Sequence, residues 1–328
     1  MKSMNSKYIE MQQLNKKFRV TGISSGAISG LTYGIYTTLV LLAGLYEPLI
    51  SAVGLLAVPF VTSGLNDFLA GLWLLIYNGG KGRLKEIGRS LNTFPGKMVV
   101  AGALVGGPVA NGAYLAGLAM AGAYAIPISA TCSLFGALFA WMFLKQKPTK
   151  RVVLGMIIVV VGAITINWVK PEGSPNFTMG IICAFIAAVS WGLEGVISSY
   201  GGSMLDTDVA VNIRELVSGI VTMLIVVPLV AAFPLLVGTV KAGMPLLLLG
   251  LSGLSAAISF LCWYKANSMV GCAIGMSLNV TYAFWGVFFC VLFLGELLTP
   301  TIVAGSVIIV LGAIIVTMNP LDLIKKEE

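Results

Sequence analysis

Asp67, Glu194, Arg214 and Glu215 each interrupt a long apolar stretch of this 328-residue chain, and their charge is the chemistry most easily read from it. A charged side chain at the centre of a membrane helix costs about 2.5–3.5 kcal/mol on the insertion scale, so each needs a partner, a water-filled cavity or a function. One positive against three negative charges suits a cation or protons rather than an anion. Two readings of the group stay open. Asp67 and Arg214 form a neutralising pair, with Glu215 near a helix end, or Asp67 and Glu215 carry protons from one side to the other.

Trp191 precedes Glu194 by three positions, so the two share a helix face. A carboxylate beside an indole holds an organic cation well, because cation–π attraction adds about 0.5–2 kcal/mol for each well-placed ring. Tyr33, Tyr36, Tyr114, Tyr264, Tyr282 and Asn279 fall at comparable depth, as do Trp263 and Trp285. The expected substrate-binding set is therefore Tyr33, Tyr36, Tyr114, Trp191, Glu194, Tyr264, Asn279 and Tyr282. In it Tyr33, Tyr114, Trp191 and Tyr282 cage a cationic head, Glu194 balances its charge and Asn279 orients a hydroxyl. Asp67, Arg214 and Glu215 are expected to serve proton coupling or gating.

The elements that must position these residues are membrane helices. The chain is 58% hydrophobic and 10% charged, with a mean hydropathy of +0.96, far from the balance of a soluble domain. Ten apolar stretches run near 23–44, 52–77, 98–119, 122–144, 152–168, 177–200, 209–232, 245–264, 269–294 and 301–318. Most reach the roughly 20 helical residues that cross a bilayer. Lys and Arg concentrate in the leading segment, between stretches two and three, and between stretches four and five. Lys170 and Lys241 alone fall on the other side, which predicts both termini in the cytoplasm. The net charge of +7 is thus accounted for by topology, and nucleic-acid binding has no support.

No signal peptide is expected, because the first 20 residues are too polar for an apolar core segment. The five cysteines lie in apolar stretches without metal-ligand spacing and read as packing residues. The absence of histidine removes zinc-hydrolase motifs and Ser-His-Asp triads, and no GxxxxGK[ST] is present. The expectation is a protein that is not an enzyme and has no cofactor, metal or obligatory protein partner.

An offset of 150 residues carries Tyr114 onto Tyr264, Thr131 onto Thr281, Gly155 onto Gly305 and Gly162-Ala163-Ile164 onto Gly312-Ala313-Ile314. Roughly a third of positions from 114 to 164 are identical to their counterparts, which indicates an internal duplication. With slightly different offsets, 65–72 aligns with 213–220 and 29–34 with 187–192, matching Asp67 to Glu215 and Tyr33 to Trp191. The expected architecture is an all-α membrane protein of ten transmembrane helices in two inverted five-helix repeats. It has a cytoplasmic segment at 1–22, repeats at 23–168 and 177–318, and a cytoplasmic tail at 319–328. An odd number of spans per repeat inverts the second copy, the arrangement of many secondary transporters. Gly22, Gly26, Gly30 and Gly34 give the first span a smooth ridge, and Pro108 and Pro127 should bend spans three and four.

Ten spans, the duplication and the Gly295-Glu296-Leu297-Leu298-Thr299-Pro300 run resemble the drug/metabolite transporter superfamily. More narrowly, Asn66-Asp67-Phe68, the run from Trp191 to Ser199, Ile213-Arg214, and Leu278 to Tyr282 with Trp285 resemble the bacterial choline importers of that superfamily. The resemblance implies import of choline or a related quaternary amine by alternating access in the bacterial inner membrane, driven by protons or the membrane potential. An exporter of amino acids, metabolites or cationic drugs is the alternative that the superfamily leaves open.

Overall fold

The computed structural model describes residues 2–54, 56–121, 125–166, 176–201, 204–295 and 299–317. The tail expected at 319–328 and most of the linker between the halves lie outside them. Every regular element among the described residues is helical. That is what lipid demands of a chain whose backbone groups must all be satisfied internally.

Two long helices, α1 (Lys2–Ala43) and α2 (Ala57–Gly80), open the fold, followed by the short α3 (Leu84–Leu91). α4 (Phe94–Leu104) passes through a π-helical turn at Val105–Asn111 into α5 (Gly112–Ala121), and Pro108 sits in that turn. α6 (Ala125–Ala130) meets α7 (Cys132–Leu144) at Thr131, and α8 (Lys150–Ile166) completes the first half. In the second half come α9 (Phe177–Gly201) and α10 (Thr207–Val221), which a second π-helical turn at Thr222–Val226 joins to α11 (Val227–Leu229). α12 (Phe233–Lys241), α13 (Gly243–Val270), α14 (Cys272–Asn279), α15 (Tyr282–Leu294) and α16 (Pro300–Thr317) follow.

Seven helical segments among the described residues are long and apolar enough to cross a membrane. They are Met11–Ala43, Ala57–Gly80, Phe94–Gly117, Phe177–Tyr200, Thr207–Leu229, Gly243–Val270 and Cys272–Leu294. Ile128–Leu144 and Pro300–Val316 are shorter apolar helices, and α8 has 17 residues. These three correspond to the remaining expected spans, parts of which lie outside the described residues. α3 and α12 were not foreshadowed by the apolar pattern.

Helix contacts are close because glycines leave room for them. The ridge of α1 lies against α13, α14 and α15, and a Cβ at Gly22, Gly26, Gly30 or Gly34 would collide with Val270, Leu278, Thr281 or Trp285 in turn. Elsewhere the tight contacts come in matched sets. Gly34 sits on Trp285 and Gly192 on Phe135; Gly71 sits on Leu216 and Gly219 on Phe68; Gly162 sits on Ile309 and Gly312 on Val159. Thr131 and Thr281 mark corresponding helix breaks, and each hydroxyl donates to the carbonyl three residues back at 2.6 Å. Lys145 and Gly295, which end α7 and α15, both adopt left-handed backbone, at φ 58° and 70°.

Ion pairs tie the end of the bundle that holds the α2–α3 connection. Lys81 Nζ lies 2.7 Å from Asp208, and Arg83 Nη1 lies 2.6 Å from Asp206 and 3.3 Å from Asp208. Asp206 also caps α10, accepting the Asp208 amide at 3.0 Å. Asp208 and the Tyr77 hydroxyl hold the Lys81 ammonium above the ordinary lysine range by hydrogen bonding.

Candidate substrate cavity and charge cluster

Four tyrosines converge from three directions near the opposite end of α2. Tyr33 and Tyr36 come from α1, Tyr114 from α5 and Tyr282 from the first turn of α15. The Tyr33 ring lies 4.4 Å from that of Tyr36, edge to face, and 4.5 Å from that of Tyr282. These rings, with Asn66 and Asp67 of α2, wall a cavity of about 160 Å³ that runs to the exposed Leu41. A water needs about 10–15 Å³ by this measure, so the space holds about ten waters or one small organic molecule.

Asp67 is 3% exposed and is the carboxylate that lines this cavity. Its Oδ2 accepts from the Ser218 hydroxyl at 2.5 Å, while Asn66 beside it accepts from Ser252 at 2.5 Å. Behind Asp67 lies Arg214, fully buried. Its Nε donates to Glu194 Oε1 at 2.7 Å and its Nη1 to Glu215 Oε1 at 2.9 Å, whereas Asp67 Oδ2 is 3.6 Å away. The guanidinium also stacks 3.9 Å over the ring of Phe260. One cation thus serves three buried carboxylates, in surroundings where an unpaired charge is very costly.

The pairing extends one expectation, since Arg214 does pair with Asp67 at 3.6 Å, and corrects another. The main partner of Arg214 is Glu194, because α9 and α10 present the two side chains to each other, while Asp67 is held mainly by Ser218. Glu215 does not face headgroups at a helix end, since it lies about two turns into α10 and is 0% exposed.

A second cavity, of about 30 Å³, is bounded by Tyr33 and Tyr282 together with Trp191, Glu194 and Asn279. The expected cage is therefore divided. Tyr36 and Tyr114 face the larger space, Trp191, Glu194 and Asn279 face the smaller, and Tyr33 and Tyr282 face both. Trp191 still reaches across, with its ring 5.2 Å from Tyr114 and its indole N–H donating to Gly106 O at 3.1 Å. Tyr264 lines neither cavity; it is fully buried and its hydroxyl donates to Glu194 at 3.5 Å, so it braces the cluster. Asn279 is engaged by Ser29 at 2.7 Å.

Gly106, Ser218 and Phe260 were missed. The only signal for Gly106 was a Gly-Gly-Pro run in an apolar stretch, yet a Cβ there would collide with the Glu194 carboxylate, so the π-helical turn shapes the seat of the charge cluster. Ser218 and Phe260 give no local signal.

With this geometry in view, comparison with known proteins locates the chain. Residues 178–318 match the model of the EamA-like transporter family. The second half holds an EamA-like transporter domain. The match covers the second half alone, and seven helical segments among the described residues are long and apolar enough for a multi-pass membrane protein. Protein LicB of Haemophilus influenzae is 25% identical over 187 residues, which are 56% of this chain and 62% of that protein. An uncharacterized transporter of Clostridium kluyveri is 26% identical over 195 residues, which are 56% of this chain and 60% of that one. The chain therefore spans only about three-fifths of the length of these curated relatives. A protein crystal structure with 18% identity superposes with a TM-score of 0.66, over 89% of this chain and 97% of the other, and so shares the fold.

Proposed function

We propose that this chain is a secondary transporter that imports a small organic cation of the choline class across the bacterial inner membrane. On this reading 23–168 and 177–318 are inverted five-helix repeats that alternate access around the tyrosine cavity. The observation that carries the reading is the cavity itself: four tyrosine rings around one carboxylate offer the π faces and the negative charge that an onium ion needs.

The matched contacts support the inverted repeat. Under the alignment of the halves, Gly71 on Leu216 exchanges with Gly219 on Phe68, Gly34 on Trp285 with Gly192 on Phe135, and Gly162 on Ile309 with Gly312 on Val159. Such reciprocity is what a two-fold axis between the halves produces. The positive-inside bias assigns the end closed by Lys81, Arg83, Asp206 and Asp208 to the cytoplasm, with both termini, so the cavity faces outward. The Arg214 cluster behind Asp67 is the natural place for coupling to protons or to the membrane potential.

A thermal-shift screen of the purified protein against choline, betaine, carnitine, ethanolamine, polyamines and amino acids tests the substrate class. At about a hundred times Kd a ligand adds about 2.7 kcal/mol to stability, a readily measured shift. Stabilisation by choline or a close amine is the expected result. Stabilisation by amino acids alone would favour the exporter reading.

A further inference from the structure

The smaller cavity has features that the tyrosine cavity does not need. Its walls include Phe260 and Trp263 of α13 as well as Trp191 and Glu194 of α9, so aromatic faces again surround one carboxylate. The indole N–H of Trp263 has no hydrogen-bond partner among the described residues, although the residue is only 5% exposed. A buried donor left unpaired is unfavourable, and a ligand bearing an oxygen acceptor would satisfy it. Holding about two waters, the cavity is closed to any substrate in this conformation.

We propose that this smaller cavity is a second station for the transported cation, reached when Tyr33 and Tyr282 part, and that Arg214 stands in for the cation while the station is empty. The proposal rests on the cation reading of the tyrosine cavity and adds a step to it. Arg214 lines neither cavity, yet its guanidinium uses the Phe260 face and the Glu194 carboxylate, the two groups an incoming onium head would use. Its Nη1 is already 2.9 Å from Glu215 and 3.6 Å from Asp67, so a short swing frees Glu194. The carboxylate at each station keeps a cationic partner in both states. With the substrate beside Asp67, Arg214 stays on Glu194; with the substrate beside Glu194, Arg214 moves to Asp67 and Glu215. The partition can open, because Tyr33 follows Gly30 on the glycine face of α1 and Tyr282 follows the helix break at Thr281. The ligand class that this station selects is an alkylammonium bearing a neutral oxygen acceptor for Trp263.

The test separates binding from uptake, using labelled choline as the probe on full-length protein in detergent and in sealed vesicles. Trp263→Phe and Trp263→Leu each alter a wall of the inner station that the outer cavity does not share. They should keep equilibrium binding within about threefold, which also shows that they fold, while uptake falls about tenfold or more. Tyr114→Leu, in the outer cavity, should lower both. Unchanged uptake in both inner variants, or binding and uptake lowered by the same factor, would overturn the second station. Failure of the unmodified protein to bind choline at all would instead overturn the cation reading, and the second station with it.

Discussion

Arg214 of α10 donates its Nε to Glu194 of α9 at 2.7 Å, and neither residue is exposed. This pair, rather than Asp67 with Arg214, is the primary neutralisation inside the bundle. It leaves Asp67 as the carboxylate that a ligand in the larger cavity meets first.

The cluster is over-supplied with carboxylates, so its members are unequal. Arg214→Met strands three of them and should cost about 3–5 kcal/mol, the usual penalty for breaking a buried pair. Glu194→Gln removes one surplus negative charge and should cost less than half as much. Denaturant unfolding of the purified variants decides; equal losses would contradict the shared-cation picture.

Gly106→Ala places a methyl group against a Glu194 carboxylate that Arg214 pins. Overpacking of this kind costs about 1–3 kcal/mol, and choline uptake should be lost because the charge cluster is displaced. Gly80→Ala, with nothing within 4 Å of the added methyl, is the control and should behave as the unmodified protein. Matching behaviour of the two variants in thermal unfolding and vesicle uptake would remove Gly106 from the account.

The α2–α10 crossing predicts an ordered pair. At Gly71 an added Cβ meets mainly the Leu216 side chain, which can shift, whereas at Gly219 it meets the Phe68 backbone, which cannot. Gly219→Ala should therefore lower the melting temperature more than Gly71→Ala. The reverse order would contradict the packing described.

Closure at the end held by Lys81, Arg83, Asp206 and Asp208 should depend on charge and very little on pH near neutrality. Lys81 is held above the ordinary lysine range by Asp208 and Tyr77, so its contribution is fully present below the unfolded value of about 10.4 and is lost only as pH rises through the higher folded value. Thiol labelling of a cysteine introduced at Ser63, which lines the cavity, reports outward opening. The labelling rate, divided by the thiolate fraction at each pH, should be constant from about pH 6 to 9 and should fall in the Asp206→Lys, Asp208→Lys double variant, which repels Lys81 and Arg83. Labelling indifferent to the charge reversal would remove these pairs from the gate.

Much of the helical scaffold was legible because lipid permits so few solutions: apolar length and the alternation of basic loops nearly fix the helices. The candidate site was legible where a residue offends its surroundings, as Asp67, Glu194, Arg214 and Glu215 do, and where a ring shares a helix face with a charge, as Trp191 does. The choice of partner was not. Whether Arg214 meets Asp67 or Glu194 depends on how α9 and α10 are each set against α4 and α13, and no periodicity within one helix encodes that. Phe260 was indistinguishable in sequence from the many packing aromatics, and Tyr264 looked like a cage residue until its burial behind Glu194 was seen.

The central claim is that an organic cation is bound by the four tyrosines and Asp67 and then carried across the membrane. Uptake of labelled choline by sealed vesicles containing the purified protein tests it most directly. The account predicts saturable accumulation that tetramethylammonium competes away and that Asp67→Asn abolishes. Accumulation no greater than in empty vesicles, or uptake indifferent to Asp67→Asn, would contradict it.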